Sequence, residues 1–322
     1  MNKETRSTQD DSDRLEASSA NEPVDESVEN NVIDAGDTEI ASLTSASSTP
    51  SRAPYRRCAP GHFRTRLHVS YDGTDFSGWQ RQTSLTSVQG TLEEAIQRIF
   101  GKHTDGRRIP VIGASRTDAG VHAHQQVAHF DSPRDPSTFD LRYAVQCLTP
   151  KTVVVTDIFH APDDFHAIAC VTHKTYKYRV HNRRVPSALD HRYSYWIRHP
   201  LDLDFLNEAS QFVVGKQDFK SFQSTGTEVS TTVRTILEAR WDRIEENTLE
   251  FTIKGDGFLK QMVRNIVGTV IQLNRDSRPA TQVKSIIDAL DRRRAGPTAE
   301  PQGLFLCSVT YPEFIDKKCR KL

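Results

Sequence analysis

The stretch VRTILEARWDRIEENTLEFTIK, Val233 to Lys254, decides what kind of sheet this chain builds. Two runs rich in β-branched and aromatic residues, 233–243 and 248–254, flank Glu245-Glu246-Asn247. A connection that short returns a strand beside its neighbour, because a parallel pair needs a crossover of about a dozen residues. An antiparallel hairpin is therefore expected. Working outward, Leu67, Val69 and Tyr71 alternate with polar residues up to the turn Asp72-Gly73-Thr74, and further strands read at about 109–113, 126–130, 152–159, 174–180 and 304–311. Helices are predicted over Leu92 to Phe100, closed by Gly101, and near 138–147, 204–213, 257–273 and 281–290. Strands that neighbour one another rather than alternating strictly with helices give an α+β fold, a mainly antiparallel mixed sheet with flanking helices, over a doubly wound one. The pattern restarts around Asp163-Asp164, so two similar subdomains, 63–163 and 164–314, are expected to enclose a central cleft.

Composition narrows the function classes. The 322 residues are 36% hydrophobic and 26% charged, with no apolar run near the ~18 residues of a spanning helix and no secretory leader pattern. Five cysteines, at 58, 147, 170, 307 and 319, form no CxxC pair, which excludes a disulfide scaffold and a Cys-rich zinc site and fits the reduced thiols of a cytosol. The formal net charge of zero hides a division. Residues 1–50 carry twelve acidic and three basic side chains, a net of −9, with fourteen Ser or Thr and no aromatic residue. This acidic head, 1–62, reads as disordered, and its sign argues against a mitochondrial transit peptide. Residues 51–322 hold thirty-nine basic and thirty acidic groups, a net of +9, and end in a basic tail at 315–322. Such a balance fits a polyanionic partner and equally an ordinary solvated surface.

The densest chemistry lies in Gly113-Ala114-Ser115-Arg116-Thr117-Asp118-Ala119-Gly120-Val121-His122, a loop between two strands. Taken alone, Arg-x-Asp-x-Gly is most simply a surface Asp capping a turn. Arg264 stands among Met262, Val263, Ile266 and Val267, so it needs an anionic partner: a structural carboxylate, a catalytic one or a phosphate. His122, His124, His129 and Asp131 sit close together in sequence, yet no further ligand motif completes a metal site. Tyr176 and Tyr178, interleaved with Lys174, Lys177 and Arg179, suit either a half-buried strand or an aromatic platform for a base.

The runs Tyr71-Asp72-Gly73-Thr74-Asp75-Phe76-Ser77-Gly78-Trp79-Gln80-Arg81-Gln82, Ser87-Val88-Gln89-Gly90 and Arg116-Thr117-Asp118-Ala119-Gly120-Val121-His122-Ala123 resemble those of TruA-type tRNA pseudouridine synthases. The likeness continues in order through Phe165-His166-Ala167, Lys174-x-Tyr176-x-Tyr178, Asp218-Phe219, Thr232 to Ile236, Phe258-x-x-x-Met262 to Gly268 and Gly303 to Leu306, covering about 64–312. The resemblance implies a pseudouridine synthase fold with an RNA-binding cleft, and isomerisation of uridine at positions 38, 39 and 40 of the tRNA anticodon stem-loop. It implies a cytoplasmic homodimer that needs neither metal nor organic cofactor. By the same correspondence Asp118 is the nucleophile, attacking C1′ or C6 or first assisting glycal formation. Arg264 pairs with it, and Tyr176 stacks on the target base and helps move the C5 proton. Arg116 helps hold the nucleotide out of its helix, with Tyr178, His166 and Lys174 as further RNA-binding residues.

Two positions depart from the family pattern: Ser115 stands where a Gly is usual, and Ile168 where an Arg is usual. Losing that Arg puts one phosphate or base contact in doubt, but neither change removes a group the chemistry needs. The rival readings are the same chemistry at other tRNA positions or on another RNA, and a non-catalytic RNA-binding module. Sequence-resolved pseudouridine mapping separates the three.

Overall fold

Backbone pairing in the computed structural model, which describes residues 57–102, 106–226 and 229–322, joins eleven strands into one sheet. In chain order the strands are β1 (Phe63–Tyr71), β2 (Ile112–Gly113), β3 (His122–Ser132), β4 (Val153–His160), β5 (His173–Asn182), β6 (Tyr195–Ile197), β7 (Gly215–Asp218), β8 (Val233–Glu245), β9 (Thr248–Gly255), β10 (Leu304–Thr310) and β11 (Arg320–Lys321). The helices are α1 (Val88–Phe100), α2 (Leu141–Leu148), α3 (Leu203–Gln211), α4 (Met262–Arg275), α5 (Gln282–Asp288) and α6 (Glu313–Asp316). The hairpin is β8–β9, with Glu245 paired to Thr248 at its end. The expectation of disorder for the head falls, up to residue 56, outside the described residues.

Apart from β11, which caps the outer edge beside β4, the spatial order β11-β4-β1-β3-β10-β5-β9-β8-β7 puts strands from before residue 163 on one side of β10 and strands from after it on the other. The late strand β10 lies between them, parallel to β3 through Phe305–His122 and Leu306–Ala123, and antiparallel to β5 through Leu306–Tyr176. The other parallel pair is β5–β6; the remaining pairings are antiparallel, as the α+β reading requires. The turn before β3 and the middle of β5 are thereby brought together across β10.

Helix α1 buries Leu92, Ala95, Ile96 and Phe100, the face its 3.6-residue spacing marks. Ser87 caps its first turn by accepting from the Gly90 amide, and Gly101 closes it at φ 80°. Helix α4 is buried on nearly every side, from Met262 through Ile271. Gly268 permits this, since a Cβ there would stand 1.9 Å from the Pro297 carbonyl oxygen.

Several boundaries move. The strand expected at 109–113 pairs only at Ile112–Gly113, and the one expected at 126–130 begins at His122. The helix expected from 257 starts at Met262, after Gln261 turns through φ 58°. Strands β6, β7 and β11 and helix α6 are too short for periodicity to reveal. The basic tail supplies α6 and β11: Arg320 pairs with His160, and Lys321 forms an ion pair with Asp157. No helix among the described residues is long and apolar enough to cross a membrane.

Candidate active site

The Asp118 loop is shaped from beneath by the 71–82 segment. The Tyr71 and Thr117 hydroxyls hydrogen-bond at 2.7 Å, and the Trp79 amide donates to the Thr117 carbonyl at 3.0 Å. Gly78, at φ 95°, lies so close that a Cβ would meet the Thr117 carbonyl oxygen at 2.6 Å. The turn closes with the Val121 amide on the Asp118 carbonyl, 3.2 Å, and with Gly120 at φ 74°. A loop tied at this many backbone points presents its side chains from a fixed position.

Above it opens a pocket of about 860 Å³, within the range that holds a small ligand. Asp118 and Arg116 line it with Ser115, Lys174, Tyr176, Phe258, Lys260, Val263 and Ile168; Gln80 and Gln82 reach it from the supporting segment. Arg264 reaches Asp118 from α4, donating from Nη1 to Oδ2 at 2.9 Å across 146 residues of sequence. The guanidinium is aimed by a second bond, Nε to the Ala299 carbonyl at 2.8 Å. Side-chain exposure is 10% for Arg264 and 24% for Asp118, so the pair is desolvated on the arginine side and open on the carboxylate side. Oδ1 of Asp118 accepts no hydrogen bond among the described residues.

Tyr176, on β5, is buried, with its ring edge-on to Phe258 at 5.1 Å and its hydroxyl 2.7 Å from Ser115 Oγ. Burial, reinforced by the nearby Asp118 charge against the pull of the Ser115 hydrogen bond, pushes its phenol up to about 12, so it is protonated at neutral pH. Lys174 Nζ donates to the Ala114 carbonyl at 2.6 Å. Arg116 is exposed at the rim.

Of the seven site residues singled out from the sequence, Asp118, Arg264, Tyr176, Arg116 and Lys174 come together here. Tyr178 and His166 are placed elsewhere. Tyr178 is fully buried, donating to the Glu300 carbonyl at 2.6 Å. His166 folds into its own turn, Nδ1 accepting from the Ile168 amide at 3.2 Å and the Ala169 amide at 3.3 Å. Ile168 is 45% exposed on the pocket wall. His122 and His124 both stack on Phe305, at 4.8 and 5.3 Å, and His129 Nδ1 accepts from the Ala167 amide. Among the described residues no group of three or more His, Cys, Asp or Glu side chains is arranged to hold a metal ion. Sequence reasoning passed over the contact between Ser115 and Tyr176 and the pocket-lining Lys260, which no local pattern carries; Gln80 stood in the quoted 71–82 run but was given no role there.

A family profile described as tRNA pseudouridine synthase matches residues 67–167 and 209–312. The chain is 46% identical over 264 residues to "tRNA pseudouridine synthase A" of Bdellovibrio bacteriovorus, covering 80% of this chain and 99% of that protein. It is 37% identical over 254 residues to the protein of the same name from Lactococcus lactis, covering 79% and 99%. A third similar protein of that name, from Streptococcus pyogenes serotype M49, is 39% identical over 249 residues, covering 77% and 98%.

Proposed function

Since this chain belongs to the tRNA pseudouridine synthase family and is an isomerase that turns uridine in tRNA into pseudouridine, we propose that Asp118 is its nucleophile and that it acts at positions 38, 39 and 40 of the anticodon stem-loop. The observation that carries the nucleophile assignment is the Asp118–Arg264 pair at the wall of a nucleotide-sized pocket, with one carboxylate oxygen engaged and the other open; the positions rest on the family resemblance.

The reaction breaks the C1′–N1 bond and forms C1′–C5, so one fragment must be held while the uracil turns. A carboxylate can hold it covalently. Arg264, fixed by Ala299, supplies a counter-charge that does not need to reorganise as bonds change at Asp118. The target uridine reaches the pocket only once unstacked, and exposed Arg116 at the rim is the group that holds the flipped nucleotide out. Tyr176 and Phe258 provide the aromatic surface the base meets, and Tyr176 takes part in moving the C5 proton. Lys174 and Lys260 add positive charge for the flanking phosphates. Neither a metal nor an organic cofactor has a role in this scheme. The reading extends to a homodimer working in the cytoplasm, each protomer built from the subdomains 63–163 and 164–314.

The test is pseudouridine mapping at nucleotide resolution on tRNA from cells with the gene, without it, and with Asp118→Ala. Loss of pseudouridine at 38–40 in the last two strains is expected. Loss confined to other tRNA positions would overturn the site assignment, and retention in the Asp118→Ala strain would overturn the nucleophile.

A further inference from the structure

The hydroxyl of Tyr176 has one hydrogen-bond partner among the described residues, Ser115 Oγ at 2.7 Å. A buried phenol without a partner is costly, so this contact is what fixes its direction. Ser115 is itself fixed. Its amide donates to Gln126 Oε1 at 3.2 Å and its carbonyl accepts from Gln126 Nε2 at 2.6 Å. Gln126 is fully buried on β3. With both backbone groups clamped by one amide, only a χ1 rotation remains to Ser115, and its hydroxyl faces the pocket that Asp118 also lines.

We propose that Ser115 is a positioning residue: held by Gln126, it pins the Tyr176 hydroxyl and so sets the pose in which Tyr176 meets the target base. This rests on the role given to Tyr176 above. In the resembling family the position is usually Gly, which has no group to offer the phenol. Nothing else among the described residues bonds to the Ser115 hydroxyl, which leaves orientation of Tyr176 as its structural consequence. Because Ser115 acts through a second residue, its effect belongs on the chemical step and not on tRNA affinity.

The experiment is a double-mutant cycle read by single-turnover pseudouridine formation and, separately, by tRNA binding. Ser115→Ala and Ser115→Gly should each slow the single-turnover rate about tenfold while leaving the tRNA dissociation constant within about twofold. Ser115→Thr, which keeps the hydroxyl, should restore the rate to within about threefold of wild type. In a Tyr176→Phe background, Ser115→Ala should cost nothing further. A wild-type rate for Ser115→Ala, or a loss that persists undiminished beside Tyr176→Phe, would overturn the inference alone. A wild-type rate for Tyr176→Phe by itself would overturn the tyrosine's role and the inference with it. Near-ultraviolet circular dichroism on each variant distinguishes a lost contact from a lost fold.

Discussion

Arg64 grips Asp131 with two nitrogens, Nε at 2.6 Å from Oδ1 and Nη2 at 3.1 Å from Oδ2, whereas Arg264 touches Asp118 through one, Nη1 at 2.9 Å from Oδ2. Both arginines are largely buried, and both donate to a backbone carbonyl as well, Phe165 for Arg64 and Ala299 for Arg264. The difference lies in the carboxylates. Asp131 spends both oxygens on its partner and lies near the Cys58 thiol; burial raises its carboxyl, but Arg64 outweighs this and holds it below the usual range. Asp118 keeps an oxygen open towards a pocket. A saturated pair locks structure, while an unsaturated one leaves capacity for chemistry.

That contrast predicts opposite failures. The largest effect belongs to Asp118: replacement by Asn or Ala should lower single-turnover pseudouridine formation more than about 10³-fold. Affinity for tRNA should stay within a few-fold, and the melting temperature should barely move. Turnover within about tenfold of wild type would sink the nucleophile assignment. Replacing Asp131 by Ala should do the reverse. It strands a buried guanidinium and should cost about 3 kcal/mol in urea unfolding, the low end for a buried pair because Asp131 is 25% exposed, with activity at low temperature retained. A large activity loss in a folded Asp131→Ala protein would erase the distinction.

Acid should expose the structural region in the same way. His129, beside Arg64, is held down to about 3 by burial, with the Arg64 and His166 charges adding to it, and His68 to about 4 by burial and Arg66. Each is lowered from an ordinary value of 6.5, so the unfolded chain binds protons that the folded chain refuses. Their contribution is full above pH 6.5 and is lost as pH falls towards about 4 and 3, at about 1.4 kcal/mol per pH unit for each group. Urea titrations from pH 7 to 4 should show that slope, shallower in His68→Gln; a flat profile would contradict it.

A smaller contrast separates two tyrosines two residues apart. Tyr178→Phe removes the hydrogen bond to Glu300 and should cost about 1 kcal/mol of stability while leaving the chemical rate alone. Smallest is Ile168→Arg: the added charge at the pocket wall should tighten tRNA binding at low salt and steepen the salt dependence of the binding constant by about one unit. Superimposable salt curves would mean that position 168 does not face phosphate.

Much was legible in the sequence because the signals are local. The turn between 243 and 248 dictates a hairpin, the spacing from Leu92 to Phe100 dictates which helix face is buried, and the ordered motifs from Tyr71 to Leu306 carry the family. Apolar neighbours around Arg264 were enough to demand an anion for it, though the residues themselves did not say which. Tertiary structure decided the rest. It chose Asp118, 146 residues away, as that anion, by setting α4 over the turn before β3. It sent Tyr176 to the pocket and Tyr178 to Glu300, although alternation puts both on one face of β5. It made His166 a turn residue and His122 and His124 partners of one phenylalanine ring. The physical reason is common to all of these. Periodicity reports which face of an element is buried, but what a buried side chain meets depends on strands paired from far along the chain, and here on the late strand β10 entering between β3 and β5.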